Sequence, residues 1–199
     1  MLPVIGGRDS QNLQDDAKVI NTTSRSHSWS VNLSPFFLGP VELYDGKTAK
    51  NMENAWQYSK VYSKFVDDKN TPTSEYFKWA DEGWCENRAM RYPMGKGDVP
   101  LYSYWNGEHL DYINARKKIY IPLYVNAIIK TEAFERLRDL HQSEKDIYLW
   151  DFDGYNHHSR GMSLTEVINS PRHKMGHAFV LAMILEYGET FDVNNMHRK

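Results

Sequence analysis

An α+β fold, one mostly helical domain with a small β-sheet, is what the sequence predicts, on three observations. Apolar residues recur at three- and four-residue steps in several segments. Short runs that alternate apolar and polar, such as Pro40-Val41-Glu42-Leu43-Tyr44, stand between them. No repeat and no Gly-, Ser- or Pro-rich linker divides the 199 residues. The whole chain, 1–199, is therefore expected to form a single domain, with 1–16 as a poorly ordered N-terminal arm and 188–199 as a C-terminal tail.

Taken in order, Lys18-Val19-Ile20 is a short apolar piece suited to a strand. Val41 to Tyr44 reads as a second strand, and Asp45-Gly46 supplies a tight turn because both residues tolerate positive φ. From Asn51 to Phe65 the positions Met52, Ala55, Trp56, Ser59, Tyr62 and Phe65 fall at helical spacing, with Asn51 placed to cap. A further helix follows Pro72, with Thr73 or Ser74 capping Glu75 to Glu82. Leu110 to Ile129 carries the longest helical pattern and should kink at Pro122, which has no amide hydrogen to donate. Thr131 caps a helix through His141, and Asp146 to Asp151 reads as a buried strand. Ser163-Leu164-Thr165-Glu166 is a capping box, and a last helix runs from about His173 to Tyr187 with Gly188 as its stop.

Composition narrows the function. With Lys+Arg 24 against Asp+Glu 26, the net charge of −2 argues against coating nucleic acid by bulk charge, though it leaves a local basic rim open. Such a rim could come from Arg88, Arg91, Lys96, Arg172, His173 and Lys174. The single Cys85 cannot form an intramolecular disulfide or a cysteine-based metal site. No apolar run approaches the roughly 20 residues of a membrane span, and Met1 to Ser10 lacks a signal-peptide pattern, so a cytoplasmic protein is expected. The 13 Tyr, 8 Phe and 6 Trp either build the core or line a site that stacks planar ligands.

Among candidate sites, His173 and His177 lie four apart and would share a helical face. No third ligand is in view and Lys174 replaces the glutamate of a metalloprotease motif, so no metal is expected. Asp151 and Asp153 close the strand before Gly154 and suit a site at a sheet's carboxyl edge, or one of them caps the turn. The opening motif they form resembles that of haloacid-dehalogenase-type phosphatases, but only 45 residues follow Gly154, too few for that architecture. Glu53 belongs to the first turn of its helix, where an acidic group is favoured by the dipole in any case.

The order of these pieces resembles the NADAR superfamily, the YbiA-like N-glycosidases, over roughly residues 17 to 187. The segments that carry the likeness are Leu33-Ser34-Pro35-Phe36, Val41 to Lys47 with its Asp-Gly, and Met52-Glu53-Asn54-Ala55-Trp56-Gln57-Tyr58-Ser59-Lys60. Trp105 then stands before a helix with Arg116, Lys117 and Tyr120, Asp151 and Asp153 form an acidic turn, and Lys174 to Met183 resembles the family's closing helix. Pro35 stands where the family has Asn, and Asn54 where it has the His after the Glu.

The resemblance implies hydrolysis of the bond between ribose C1′ and a nitrogen, most readily removal of ADP-ribose from guanine in DNA or RNA, with no cofactor and no metal. It implies Glu53 as the main catalytic carboxylate, Asp153 as second acid/base or ribose-hydroxyl ligand, and Trp105 as the ring that stacks on the leaving base. Asn21, Arg25, Ser34, Phe36, Trp56, Lys60, Arg116, Asp151 and Gly176 are the implied substrate-binding residues, with Arg25, Lys60 and Arg116 meeting phosphate. The implied partner is an ADP-ribosylated nucleobase in nucleic acid, or a nucleotide-like small molecule, and no membrane. The alternatives are an N-glycosidase on a free nucleotide or riboflavin-pathway metabolite, and a non-catalytic module that binds ADP-ribose or nucleic acid.

Overall fold

The run Ile147-Tyr148-Leu149-Trp150 buries Ile147 and Leu149 and leaves Tyr148 and Trp150 half-buried, the period-two pattern of a strand. In the computed structural model, which describes residues 2–7, 9, 13, 17–144 and 146–196, this strand is β8 (Ile147–Trp150). It is the centre of a parallel three-stranded sheet between β1 (Val4–Ile5) and β2 (Lys18–Asn21). Val4 pairs with Leu149, and Ile20 also pairs with Leu149 from the other side. The expected strand at Lys18 is thus present. The expected arm needs correction at Val4–Ile5, which are fully buried and paired with Leu149 and Trp150 in the sheet. The rest of 1–16 lies largely outside the described residues, as does the end of the 188–199 tail.

The chain is α+β, and its residues group into two units: Met1–Ser34 with Tyr124–Lys199, and Pro35–Leu123. In place of the one small sheet expected from the sequence, the described residues form three, of three, two and three strands. In the Pro35–Leu123 unit, β3 (Val41–Glu42) and β4 (Thr48–Ala49) form a hairpin around Asp45 and Gly46, whose φ values of 52° and 70° are both positive. There β5 (Lys60–Val61), β6 (Tyr102–Trp105) and β7 (Glu108–Leu110) make an antiparallel sheet.

Helix α1 is shorter than its periodicity predicts. It spans Met52–Gln57, capped by the Asn51 side chain on the Asn54 amide at 2.9 Å, and then yields to β5 and a 3-10 turn at Ser63–Phe65. Pairing of Lys60 with Ser103 and of Val61 with Tyr102 wins over helix propagation, while Tyr62 and Phe65 stay buried by another route. Helix α2 (Ser74–Cys85) starts after its Thr73 cap. The predicted helix from Leu110 is broken differently than expected. Leu110 closes β7, and Asp111 caps α3 (Tyr112–Ala115), which passes through a π-helical turn (Arg116–Tyr120) into α4 (Ile121–Ile128). The wide turn lies just N-terminal to Pro122, which can neither donate an amide nor admit an ordinary turn against its ring.

In the other unit, α5 (Glu132–Ser143) is capped by Thr131 and α6 (Leu164–Asn169) by the complete Ser163/Glu166 box, both as expected. The last helix, α7 (His177–Tyr187), begins four residues later than predicted, so His173 lies outside it and shares no helical face with His177. Every residue from His177 to Ile184 is buried, and the helix is apolar on all sides, as a helix enclosed in a core must be.

One glycine yields a counterintuitive expectation. Gly83 lies inside α2, where alanine would ordinarily gain about 1 kcal/mol of helix propensity. A Cβ there would stand 2.0 Å from carbons of the Tyr58 ring, itself packed at 4.6 Å on Trp79. Gly83→Ala is therefore expected to destabilise by about 1–3 kcal/mol, read as a lower urea midpoint. A raised midpoint would show that the Tyr58 ring moves aside freely.

Candidate functional site

Within the Pro35–Leu123 unit the chemistry gathers on α1. The amides of Met52 and Glu53, which no helical carbonyl can satisfy, donate to the carbonyls of Leu38 at 2.8 Å and Pro35 at 3.0 Å. This seats the first turn firmly and leaves Glu53 8% exposed. Four residues on, Gln57 Nε2 donates to Glu53 Oε1 at 2.9 Å, and Lys60 Nζ donates to Gln57 Oε1 at 2.7 Å. The spacing of four and then three residues makes this chain of contacts. The Lys60 ammonium also stands 5.0 Å from the Trp56 ring centre, and Trp56 meets Tyr120 of the π-helical turn edge to face at 5.2 Å.

Burial pushes the Lys60 ammonium down to about 8, against the attraction of Glu53 and helped by the positive charge of Arg91. A buried carboxylate, an acidified lysine and a half-buried indole thus lie together, the kind of grouping that marks functional sites. Arg116 is buried in the π-helical turn, its Nη2 donating to the Tyr112 hydroxyl at 2.8 Å with the guanidinium 4.1 Å from the Tyr112 ring centre. Phe36 is half-buried next to Pro35 in sequence. Trp105 ends β6 in a different aromatic group: its ring meets Tyr44 at 4.8 Å, Tyr44 meets Trp84 at 6.0 Å, and the Lys47 ammonium stands 5.4 Å from the Trp84 ring centre.

The other unit brings Asp151, Gly176 and His177 together. Asp151, 4% exposed, sits where β8 ends. Its carboxylate accepts the Ala178 amide at 3.2 Å and the Asp153 amide at 3.3 Å, and its Oδ2 lies 3.1 Å from His177 Nδ1. His177 Nε2 lies 2.8 Å from the Thr22 carbonyl oxygen, which can only accept. Acceptors at both ring nitrogens favour the doubly protonated imidazole, which pairs with the buried Asp151 carboxylate. Burial raises the carboxyl's affinity for a proton, but the His177 charge and the hydrogen bonds reverse this and hold Asp151 below its ordinary value. Gly176 is required by this packing, since a Cβ would meet Asp151 Oδ2 at 2.1 Å.

Asp153 is half-buried, with Lys174 Nζ at 3.4 Å. Asn21 uses its Oδ1 on the Thr23 amide and hydroxyl. The exposed Arg25 places its guanidinium 5.2 Å from the Phe152 ring centre, and Ser34 is buried where the 3-10 turn Trp29–Leu33 ends. Among the described residues no group of three or more His, Cys, Asp or Glu is placed to hold a metal ion. No helix is long and apolar enough to cross a membrane, among the described residues.

Sequence reasoning passed over Gln57 as a site residue, although its spacing from Glu53 and Lys60 was the available signal. It also passed over His157, which carries no such signal. This imidazole is 0% exposed, packs on His158 at 3.9 Å and Phe179 at 5.7 Å, and finds no hydrogen-bond partner for either nitrogen among the described residues. Burial first, then the charge of His158, lowers it to about 4. The unfolded chain takes up this proton near pH 6.5, so the stability held by neutral His157 is complete above about 6.5 and is lost as pH falls toward 4. His157→Phe is expected to flatten the urea-midpoint profile across that window, and an unchanged slope would place the proton uptake elsewhere.

The profile of a family described as a family of unknown function, DUF6939, matches residues 8–168. No curated protein and no solved structure matches the chain.

Proposed function

The chain belongs to the DUF6939 family, and we propose that it is an N-glycosidase that hydrolyses the bond between ribose C1′ and a base nitrogen, releasing ADP-ribose from guanine in nucleic acid. The observation that carries this reading is the hydrogen-bonded chain Glu53–Gln57–Lys60 beside the Trp56 ring. It joins the residue types of the resembled motif into one contiguous group.

The chemistry matches what breaking such a bond requires. As the base departs, positive charge builds on C1′ and the ring oxygen, and a fixed carboxylate next to that position lowers the barrier. Glu53 is held by Gln57, and the Lys60 charge favours its ionised form. Water then adds its hydroxyl to C1′, and its proton goes to the base nitrogen that takes the bonding electrons. A departing purine is planar, so the Trp56 ring beside Glu53 is the proposed surface for it in place of Trp105, whose ring lies with Tyr44, and Lys60 meets phosphate. This reading rests on the Pro35–Leu123 unit alone.

The test is release of ADP-ribose from an oligonucleotide carrying ADP-ribosylated guanine, followed by mass spectrometry, beside free ADP-ribosyl nucleosides and riboflavin-pathway glycosylamines. Release from the oligonucleotide supports the reading. Tight calorimetric binding of ADP-ribose with no release from any of these substrates replaces it with a non-catalytic reader.

A further inference from the structure

An exposed phenylalanine standing alone is ordinary. Phe37, 58% exposed, is held in a particular place. It belongs to the stretch 35–38, and the carbonyls at both ends of that stretch accept amides of α1, Pro35 from Glu53 at 3.0 Å and Leu38 from Met52 at 2.8 Å. The backbone on either side of this ring is therefore fastened to the helical turn that carries Glu53.

A second exposed ring is fastened to the same turn by another route. The fully buried Asn54 donates from Nδ2 to the Glu86 carbonyl at 2.8 Å and the Arg88 carbonyl at 3.0 Å, and its Oδ1 accepts the Met90 amide at 2.8 Å. Tyr92, 47% exposed, follows Met90 by two residues, a length of chain that reaches no further than about 7 Å. The Arg91 guanidinium stands 5.5 Å from the Tyr92 ring centre, and Arg88 is exposed within the anchored stretch. Of the basic residues expected along a rim, Arg88, Arg91 and Lys96 belong to this unit, and Arg172, His173 and Lys174 to the other.

Glu53 and Asn54 are neighbours, so one turn of α1 holds one exposed ring through the Glu53 amide and another through the side chain of the next residue. Neither ring belongs to the Glu53–Gln57–Lys60 and Trp56 group, which accounts for the reacting nucleotide. A free nucleotide would leave both rings in water. A strand brings further bases, each with a face that stacks on an aromatic ring, and phosphates for which Arg88 supplies a cation. We propose that Phe37 and Tyr92 are the base-stacking residues of a single-strand binding surface, on which bases neighbouring the modified guanine rest while Glu53 addresses its ribose. The proposal rests on the glycosidase reading for the guanine it surrounds, but its test needs no turnover.

The probe is a fluorescein-labelled, unmodified single-stranded oligodeoxynucleotide, with binding read by anisotropy at low salt, beside the same strand with its central bases replaced by abasic sites. Phe37→Ala and Tyr92→Ala are each expected to weaken binding of the base-bearing strand about 10-fold and to change calorimetric binding of ADP-ribose by no more than about twofold. Both side chains are exposed, so the variants are expected to fold. Phe37→Trp and Tyr92→Phe keep a ring and should keep the affinity. On the abasic strand each alanine variant should bind as the wild type does, because no base remains to stack. The proposal is overturned if either alanine variant binds the base-bearing strand as tightly as the wild type, or loses the same factor on the abasic strand. A wild-type protein that binds no oligonucleotide overturns it as well. Strand affinity lost in the alanine variants of a protein that releases no ADP-ribose sinks the glycosidase reading and leaves the strand surface standing. Release of ADP-ribose with strand affinity unchanged in both variants does the reverse.

Discussion

Asp151→Ala is expected to cost about 3–5 kcal/mol of folding stability, read as a fall in urea midpoint near pH 7 with an unchanged slope. The carboxylate is the negative half of a buried ion pair whose other half, His177, has an acceptor on each ring nitrogen. Removing it leaves an imidazolium with no counter-charge and strips the Ala178 amide, at the positive end of α7, of its acceptor. The native pKa of Asp151 lies below its unfolded value, so its contribution is present above about pH 4 and is lost as pH falls through the lower native value. The gap between wild type and variant should accordingly close in acid. His177→Leu added to Asp151→Ala should recover part of the loss, because the pair is then replaced by apolar packing. A loss under about 1 kcal/mol for the single variant would mean that His177 is neutral and the ion pair does not exist.

Glu53→Gln is expected to slow release of ADP-ribose from the guanine-modified oligonucleotide by about 100- to 1000-fold. Gln has the same shape, so binding of ADP-ribose by calorimetry should change little while the rate falls. The loss should appear in kcat rather than KM, because the carboxylate matters most when the sugar is positively charged. Removing Glu53 also withdraws the attraction that favours the charged lysine, so the pH at which an amine-reactive reagent modifies half of Lys60, read by mass spectrometry, should move below about 8. Equal rates for wild type and Glu53→Gln would show that this carboxylate takes no part in the reaction.

Signals confined to a few residues are legible in the sequence. Asn51, Thr131 and the Ser163/Glu166 box cap the helices predicted for them, because a cap involves residues within three positions of each other. Asp45-Gly46 turns as expected for the same reason. Glu53, Gln57 and Lys60 are joined by steps of four and three residues, so that part of the candidate site was already present in the spacing. Periodicity misled where a distant partner competed. Nothing near Lys60 reveals that Ser103 and Tyr102 will pair with it and its neighbour and end α1 early. Nor does the polar N-terminal stretch announce that Val4–Ile5 will join a strand nearly 150 residues away.

The same division separates what each level of structure contributes. The sequence by itself determined the α+β class, the caps, the hairpin turn, and the set of acidic, basic and aromatic residues along α1, because these follow from side-chain chemistry and backbone preference over a few residues. Only the tertiary structure decided that Asp151 is consumed by His177, that His157 is enclosed without a partner among the described residues, and that Asn54 holds the segment leading to Arg91. Burial and charge pairing depend on which distant segments remove a group from water, and that is a property of the packed chain rather than of any window of its sequence.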